Sequence, residues 1–435
     1  MTAPATHAVP RAAWRTRATG LFPDPPPRPV RPVAGLLTGL AVLAGAAVSL
    51  LRQPGALDTV WAEDGQVFLA DAVNLPVHEA LASSYAGYFH TGPRLLAELV
   101  ALTPAGANAA IVAVAAAAVT AALAVLVYMA SAAHLPSPVA RVVAAAIVVV
   151  PPLAQGDLPN SIANLHWPAL YALFWVLLWT PARWPGQALG LATVVLVTTS
   201  DILVVALLPL SLVRFAVRRD RYSAALAAVF AAGVALQALG LLSGASDRDT
   251  DLNPARAVVG YLLRAVPGAL AGSRWLGPDH TSLRWLALAG AAWLLVAVAV
   301  FAAWRRLTRP DWLLAGVAIV HSVALYALPV MLSGVATERY AVAPAMLVVV
   351  ALLALLPPEP GPAGRAGMAL VALLAVVCAV NLRVPTPREA GPLWSDELTR
   401  ARVSCATPGT ATASLRLPPA DSGWQAELPC RHLRE

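Results

Sequence analysis

The stretch GANAAIVAVAAAAVTAALAVLVYMAS, residues 106–131, decides the fold class of this chain. It runs for 26 residues without a charged side chain. A helix rises about 1.5 Å per residue, so about 20 such residues cross the ~30 Å hydrocarbon core of a bilayer. The stretch therefore predicts a transmembrane helix.

The whole chain shares this apolar character. Of its 435 residues, 59% are hydrophobic and 12% are charged, and the mean hydropathy is +0.69. An ordinary soluble domain has roughly 25% charged residues, so a soluble protein is excluded. The net charge of +7 comes from 30 basic residues, all of them Arg. They are scattered over short loops, a pattern that reports membrane topology and argues against a nucleic-acid partner.

Apolar segments recur along most of the chain and predict an all-α polytopic integral membrane protein with about eleven transmembrane helices. The segments lie near 34–51, 106–131, 141–155, 165–180, 187–200, 202–217, 222–243, 283–303, 312–333, 340–356 and 366–382. With the N-terminus inside the cell, the cytoplasmic loops are HLPSPVAR, PARWPGQ, RFAVRRDR, WRRLTRPD and PPEPGPAGRAG. Each of them carries Arg, as the positive-inside rule requires.

This topology divides the chain into three parts. Residues 1–33 are rich in Pro and Arg and predict a disordered cytoplasmic tail. Residues 34–382 form the transmembrane domain, with external loops at about 52–105 and 244–282. The first loop predicts two short helices joined by SSYAGYFHTG, the second starting at Pro93. Residues 383–435 predict a small extracytoplasmic module of short strands and turns.

Residues 188–213 test the helix count, because only Asp201 interrupts this apolar stretch. If the stretch crossed the membrane only once, every later loop would lie on the other side of the membrane. The Arg-rich loops would then be divided between the two sides. We therefore expect a hairpin of two short helices with Asp201 at its outer turn. Helices this short do not cross the membrane fully, so the turn between them lies below the outer membrane surface. Irregular backbone at that depth is tolerated where it is buried in protein or lines a wet cavity. We therefore expect an outward-facing cavity that is lined by such recessed helix ends.

The external loop 52–105 carries the most concentrated set of candidate site residues. It contains the acidic pair Glu63 and Asp64 in WAEDG, and Tyr88, His90 and Arg94 in YAGYFHTGPR. The alternative is that these side chains are solvated and that Arg94 pairs with Glu98 at i, i+4. The aromatic cluster beside the acids favours a site.

Further polar side chains stand at turns that face the same side. They are Asn164 and His166 in NSIANLHW, Asp201 in TTSDILVV, and Glu338 and Arg339 in GVATERYAV. Each has a structural alternative: His166 at a helix end, Asp201 as a helix cap, and Glu338 with Arg339 as an interfacial ion pair. His321 is typical of a packed helix residue. Together the first five predict the polar lining of one cavity.

Other motifs narrow the chemistry. The sequence contains no phosphate-binding glycine loop, no HExxH and no CxxC. No nucleotide site is visible, so a donor activated in the cytoplasm would have to arrive in another form. No cofactor follows from the sequence, and a divalent metal ion remains open. Cys405 and Cys430 share the external tail, which predicts a disulfide in an oxidising compartment, while Cys378 lies in the last apolar segment.

The WAEDG acids after the first helix, GYFHTGPR in the following loop helix and the late ERY resemble the GT-C superfamily of polytopic glycosyltransferases. More narrowly, WAEDG, NLHW and a C-terminal LPC are similar to a group of actinobacterial membrane proteins. The resemblance covers roughly residues 34–382. It implies a multi-pass plasma-membrane enzyme that moves a sugar from a polyprenyl-phosphate donor to a lipid or glycan acceptor of the cell envelope.

Sugar transfer from a lipid phosphate needs a carboxylate that takes the acceptor proton, and the sequence offers Asp64, supported by Glu63. Arg339 or Arg94 can stabilise the leaving phosphate, and His90 and His166 can orient the substrates. A transporter or flippase of a lipid-linked glycan would use the same cavity without the bond-making acid. An assembly protein with an external tail is a third possibility, in which the cavity is incidental.

Overall fold

The computed structural model describes residues 18–24, 34–153, 158–242, 252–275, 282–383 and 385–434. Its first nine α-helices are α1 Ala34–Arg52, α2 Ala70–Asn74, α3 Val77–Ala82, α4 Thr91–Ala101, α5 Asn108–Ala130, α6 Pro138–Val149, α7 His166–Leu178, α8 Trp184–Thr198 and α9 Leu208–Arg218. The next nine are α10 Arg221–Leu242, α11 Pro254–Gly260, α12 Val266–Ala271, α13 Leu283–Trp304, α14 Trp312–Ser333, α15 Val342–Leu355, α16 Arg365–Val380, α17 Trp394–Cys405 and α18 Cys430–Leu433.

Two antiparallel hairpins complete the regular structure of these residues. Strands β1 Ser84–Tyr85 and β2 Tyr88–Phe89 form the first, and β3 Thr412–Arg416 and β4 Gln425–Pro429 form the second. Single turns of 3₁₀ helix precede several helices, and a π-helical segment, Asp64–Leu69, leads into α2. The predicted tail 1–33 lies outside the described residues except for 18–24, as do parts of the predicted loop 244–282.

The all-α polytopic fold is confirmed, since each of the eleven predicted apolar segments contains a helix. Within the described residues, seven helical segments are long and apolar enough to cross a membrane: Ala34–Arg52, Ala105–Ala133, Arg221–Leu242, Leu283–Trp304, Trp312–Ser333, Glu338–Leu355 and Pro362–Val380. The other four, α6 to α9, have 12, 13, 15 and 11 residues. Helices this short do not span a bilayer by themselves.

Burial separates the central helix from the peripheral ones. Every residue of α15 is buried, so this helix forms the axis of the bundle and packs most closely against α14. In α1 only Ser49 and Arg52 are buried, and its exposed leucines can contact lipid.

The start of α14 is set by a local capping signal. The side chain of Asp311 accepts hydrogen bonds from the N–H groups of Leu313 and Leu314 and so caps the first turn of the helix.

The chain reverses at residues 199–201, between α8 and the 3₁₀ turn Ile202–Leu207 that leads into α9. Gly190 faces the Tyr222 hydroxyl and Gly233 faces Thr198, each so closely that a Cβ atom would clash, so α8 and α10 run parallel. The tight turn after Arg218 makes α9 antiparallel to α10. Consequently α8 and α9 are also antiparallel, and Asp201 stands at the turn of the predicted hairpin.

The five Arg-bearing loops lie on one face of the bundle, which we call the arginine-loop face. Residues 19–24 pack on the same face. The contacts that gather them are Ser137 Oγ to Pro358 O at 2.7 Å, Thr308 Oγ1 to Leu355 O at 2.8 Å, Arg218 Nη1 to Asp24 Oδ1 at 2.8 Å, His134 Nε2 to Leu21 O at 2.9 Å, and Thr180 Oγ1 to Pro23 O.

The C-terminal segment 385–434 is built into the opposite face. Its helix α17, which the sequence did not predict, and its hairpin β3–β4 share one hydrophobic core with the first predicted loop, 52–105, and the N-terminal half of α5. Members of this core are Phe68, Leu69, Ala97, Val112, Leu165, Trp394, Leu398, Leu415 and Leu428. Cys405 and Cys430 form a disulfide with a Cα–Cα distance of 5.5 Å, which ties α17 to the end of β4.

Candidate functional site

A cavity of about 250 Å³ opens on the face opposite the arginine loops. Its wall is formed by residues far apart in the sequence: Glu63, Phe68, Tyr85, Tyr88, His90, Ala163, Asn164, His166, Trp167, Ile202, Leu203, Pro329, Leu332, Arg339, Tyr340 and Trp424. Six of the ten residues predicted for catalysis or binding are among them. A polar pocket with several aromatic side chains suits a polar ligand that also has apolar surface.

The hairpin β1–β2 supplies the aromatic wall. The rings of Tyr88 and His90 stack with their centroids 4.1 Å apart, and His90 also contacts Phe68 and Tyr85. His90 Nδ1 lies 3.1 Å from Tyr88 O. The predicted linker is therefore an ordered hairpin, and the following helix α4 begins at Thr91, two residues before Pro93.

One side chain of the membrane helix α10 holds this hairpin in place through hydrogen bonds. Gln237 accepts a hydrogen bond of 2.9 Å from Phe89 N through its Oε1. Its Nε2 donates to Phe89 O and to Thr198 O at 3.2 and 3.1 Å. The ring of Phe89 packs over Gly240, where a Cβ atom would lie 3.1 Å from the ring. A buried amide thus positions Tyr88 and His90.

The opposite wall is the start of α7. Asn164 Nδ2 donates to Ser161 Oγ at 3.1 Å, and His166 Nδ1 lies 2.8 Å from Ala163 O. The Trp167 ring stands 5.8 Å from the Tyr340 ring. These contacts hold the polar ends of Asn164 and His166 at the cavity.

Asp64 is fully buried, with 0% of its surface exposed, and does not line the cavity. Its carboxylate accepts hydrogen bonds from Ala163 N at 2.8 Å, Ile162 N at 3.2 Å and Ser161 Oγ at 3.1 Å. Burial raises the pKa of Asp64 to about 7, against the lowering effect of these donors. Asp64 therefore holds the turn before α7 in place.

Glu63 takes the position at the cavity that the sequence analysis gave to Asp64. Its side chain lines the wall and is half-buried. Its Oε2 atom is buried and has no hydrogen-bond partner within the described part of the chain. A buried carboxylate oxygen without a donor is costly, so it is poised to accept a proton or a hydrogen bond from a ligand.

The arginine and the tyrosine of the late ERY stretch, Arg339 and Tyr340, both line the cavity. Arg339 lines the cavity, with its guanidinium 5.7 Å from the centroid of the Tyr340 ring. Glu338, its neighbour, is not part of the lining. Among the described lining residues there is thus one carboxylate and one guanidinium, Glu63 and Arg339, from distant parts of the chain.

Arg94 lies behind the wall. Its side chain is 2% exposed and donates to Asp71 Oδ2 at 2.8 Å, so the alternative pairing with Glu98 is not the one formed. The guanidinium lies 5.5 Å from the centroid of the Phe68 ring, and Phe68 lines the cavity. Arg94 therefore does not line the cavity but packs against Phe68, which does.

Asp201 caps the turn that follows it by accepting from Leu203 N at 2.8 Å. It also borders a second cavity, an apolar groove of about 240 Å³ between α4, α5, α7 and α8. The groove is lined by Gly92, Pro93, Leu95, Leu96, Val119, Leu123, Leu165, His166, Ala169, Thr193, Leu196, Val197, Ser200 and Asp201. His166 borders both cavities, so the polar and apolar spaces adjoin.

Arg388 is a buried charge that the sequence analysis missed. It is 0% exposed and donates to Thr59 Oγ1 and Thr59 O, each at 2.8 Å, and to Pro159 O and Asn160 O. Burial lowers the pKa of Arg388 to about 10, which leaves it cationic, and it offsets the charge of Asp64. This side chain ties the C-terminal segment to the two loops that form the cavity.

Five aromatic lining residues are absent from the predicted site residues, namely Phe68, Tyr85, Trp167, Tyr340 and Trp424, of which Trp167 and Tyr340 directly follow predicted residues. Phe68 and Tyr85 flank predicted site residues in the same loop, so their type and proximity were available signals. Trp424 could not be found in this way, because residues 383–435 were predicted to form a separate module. A contact between that module and the first loop was therefore not expected.

The described residues contain no group of three or more His, Cys, Asp or Glu side chains arranged to hold a metal ion. The carboxylates near the cavity do not converge, since Asp64 faces backbone donors and Asp201 caps a turn. Glu63 and Arg339, with His90 and His166, therefore provide the polar chemistry of the site.

Fold and site define a polytopic α-helical membrane protein with a polar cavity on one face. No family model matches the chain, and no curated protein matches it in sequence. Its fold is similar to the crystal structure of the Archaeoglobus fulgidus oligosaccharyltransferase in complex with Zn and sulfate, with 14% identity and a TM-score of 0.38. The alignment covers 85% of this chain and 55% of that chain, so this chain spans about half of the archaeal protein.

Proposed function

We propose that the protein is a membrane glycosyltransferase that moves a sugar from a polyprenyl-phosphate donor to a lipid or glycan acceptor of the cell envelope, on the outer face of the plasma membrane. The observation that supports this most directly is the junction of the two cavities at His166. A polar cavity beside an apolar groove suits an amphiphilic donor, with the sugar and phosphate in the first and part of the prenyl chain in the second.

Glu63 serves as the general base in this proposal. The acceptor hydroxyl oxygen forms a bond to the anomeric carbon, and the bond from that carbon to the phosphate oxygen breaks with its electron pair remaining on the phosphate. The hydroxyl proton passes to Glu63, whose Oε2 lacks a donor within the described residues. The buried Asp64 positions the opposite wall.

Arg339 stabilises the phosphate as it gains charge on leaving, because a fixed guanidinium forms bidentate hydrogen bonds with phosphate oxygens. His90 and His166 orient the donor and acceptor from the two walls. The proposal predicts that Arg339 affects donor binding and turnover together, whereas Glu63 affects turnover alone.

The decisive experiment incubates the purified protein in lipid nanodiscs with a panel of labelled polyprenyl-phosphate sugars and candidate envelope acceptors. We expect donor consumption and a glycosylated product. Glu63→Gln should reduce transfer by ~100-fold or more, in line with the contribution of a general base, and leave donor binding intact. Arg339→Ala should weaken both, and Arg339→Lys should recover part of the binding.

Arg309→Ala is the matched control, because Arg309 is an exposed side chain in a loop of the arginine-loop face. It should leave transfer unchanged. Donor movement across the bilayer without bond cleavage would replace the proposal by the flippase alternative. Transfer at the wild-type rate in Glu63→Gln would remove Glu63 from the mechanism.

A further inference from the structure

The C-terminal segment joins directly to the backbone that carries Glu63. Ala62 N donates to Pro418 O at 3.2 Å, one residue before Glu63. Leu417 packs on Gly65 so closely that a Cβ atom there would lie 2.7 Å from its side chain. The C-terminal segment and the first loop are therefore in direct contact next to Glu63.

Trp424 stands at the end of this junction, on the hairpin β3–β4. Its carbonyl accepts a hydrogen bond of 2.9 Å from Leu417 N, and the next residue, Gln425, donates its N–H to Gln66 Oε1 at 3.0 Å. The backbone on both sides of the indole is thus fixed. The half-buried ring faces the cavity that Glu63 also lines.

We propose that Trp424 is the platform on which the transferred sugar ring stacks, so that the C-terminal segment completes the sugar subsite. The inference rests on the proposed function and adds a recognition role that the catalytic groups do not supply. One face of a pyranose ring carries axial C–H groups, which pack favourably on the face of an aromatic ring. Trp424 and Glu63 line the same cavity, so a sugar stacked on the indole shares that space with the base.

The remaining polar lining supports this arrangement. Asn164 and His166 on the far wall provide hydrogen-bonding groups for sugar hydroxyls, and Arg339 provides a cation for the phosphate. A sugar between the indole and this wall would be held by apolar contact on one face and by polar contacts at its edge. Such a division is typical of small-molecule sites, where a few polar groups fix the orientation.

The test measures equilibrium binding of two labelled probes to the full-length protein in nanodiscs: farnesyl phosphate and farnesyl phosphate that carries a hexose or pentose, taken from a panel. Wild type should prefer a sugar-bearing probe. Trp424→Leu keeps apolar volume but removes the aromatic face. The ratio of the affinities for the sugar-bearing probe and for farnesyl phosphate should therefore be about tenfold lower in this variant. Binding of farnesyl phosphate itself should not change, and Trp424→Phe should retain most of the preference.

Trp184→Ala is the matched control, since Trp184 is 77% exposed at the arginine-loop end of α8. It should bind both probes as wild type does. A wild-type preference that survives in Trp424→Leu overturns the role of Trp424 and leaves the proposed function standing. Absence of any preference in wild type, together with absence of transfer, overturns the proposed function and this inference with it.

Discussion

The carboxylate of Asp64 receives the backbone N–H of Ala163 at 2.8 Å and fixes the turn that precedes α7. A second backbone donor, Ile162 N, reaches its other oxygen at 3.2 Å. One buried side chain in the first external loop therefore organises the wall that presents Asn164 and His166. The adjacent Glu63 lines the cavity, so the two neighbouring carboxylates lie in different environments.

Asp64→Asn should destabilise the folded protein, whereas Glu63→Gln should not. An asparagine side chain turns its NH₂ group toward a backbone N–H that needs an acceptor, which costs about 1–3 kcal/mol. Thermal unfolding in detergent measures the difference between the two variants. Equal melting temperatures for wild type and Asp64→Asn would contradict the positioning role of Asp64.

The stability of the wild type should fall as the pH rises from about 4 to 7. Burial raises the pKa of Asp64 from 3.8 to about 7, so in this interval the folded state holds a proton that the unfolded chain has lost. The contribution of Asp64 to the free energy of unfolding then decreases by up to about 4 kcal/mol and is constant above pH ~7. Asp64→Asn cannot titrate and should lack this component, so a pH scan of melting temperature that is parallel for both proteins would refute it.

Gln237→Leu should loosen the hairpin β1–β2 without unfolding the bundle. The substitution keeps the volume but leaves the N–H and C=O of Phe89 without their buried partner. We expect faster hydrogen exchange at residues 84–90 and weaker donor binding. Gln187→Leu, at the arginine-loop end of α8, serves as control, and unchanged exchange in the Gln237 variant would show that other contacts hold the hairpin.

Cysteine labelling should place the two faces on opposite sides of the membrane. In a Cys378→Ala background, Ser422→Cys in the exposed hairpin turn should react with an impermeant reagent added outside the cell. Arg309→Cys should react only after the membrane is opened, because the positive-inside rule predicts that the arginine loops are cytoplasmic. The reverse pattern would invert the topology and move the cavity to the cytoplasmic side.

Much of the fold follows from local sequence properties. A run of apolar residues such as 106–131 forms a helix in lipid whatever surrounds it, because its backbone groups must be satisfied within the segment. The hairpin at Asp201 also follows, since the Arg-rich loops can gather on one face only if the chain turns back there. The same reasoning gave six of the sixteen described residues that line the cavity, including its carboxylate and its guanidinium, because polar groups at the turns of an apolar chain have few other places to lie.

The sequence by itself determined the helices, the grouping of the arginine loops and the neighbourhood of the site. Only the tertiary structure decided which carboxylate faces the cavity, because successive helical side chains point about 100° apart and long-range packing selects the buried one. Local properties likewise do not bring Trp424 and Arg388 to the first loop. That contact depends on a hydrophobic core shared by segments more than 300 residues apart, as between Phe68 and Leu428, and no local pattern encodes such a pairing.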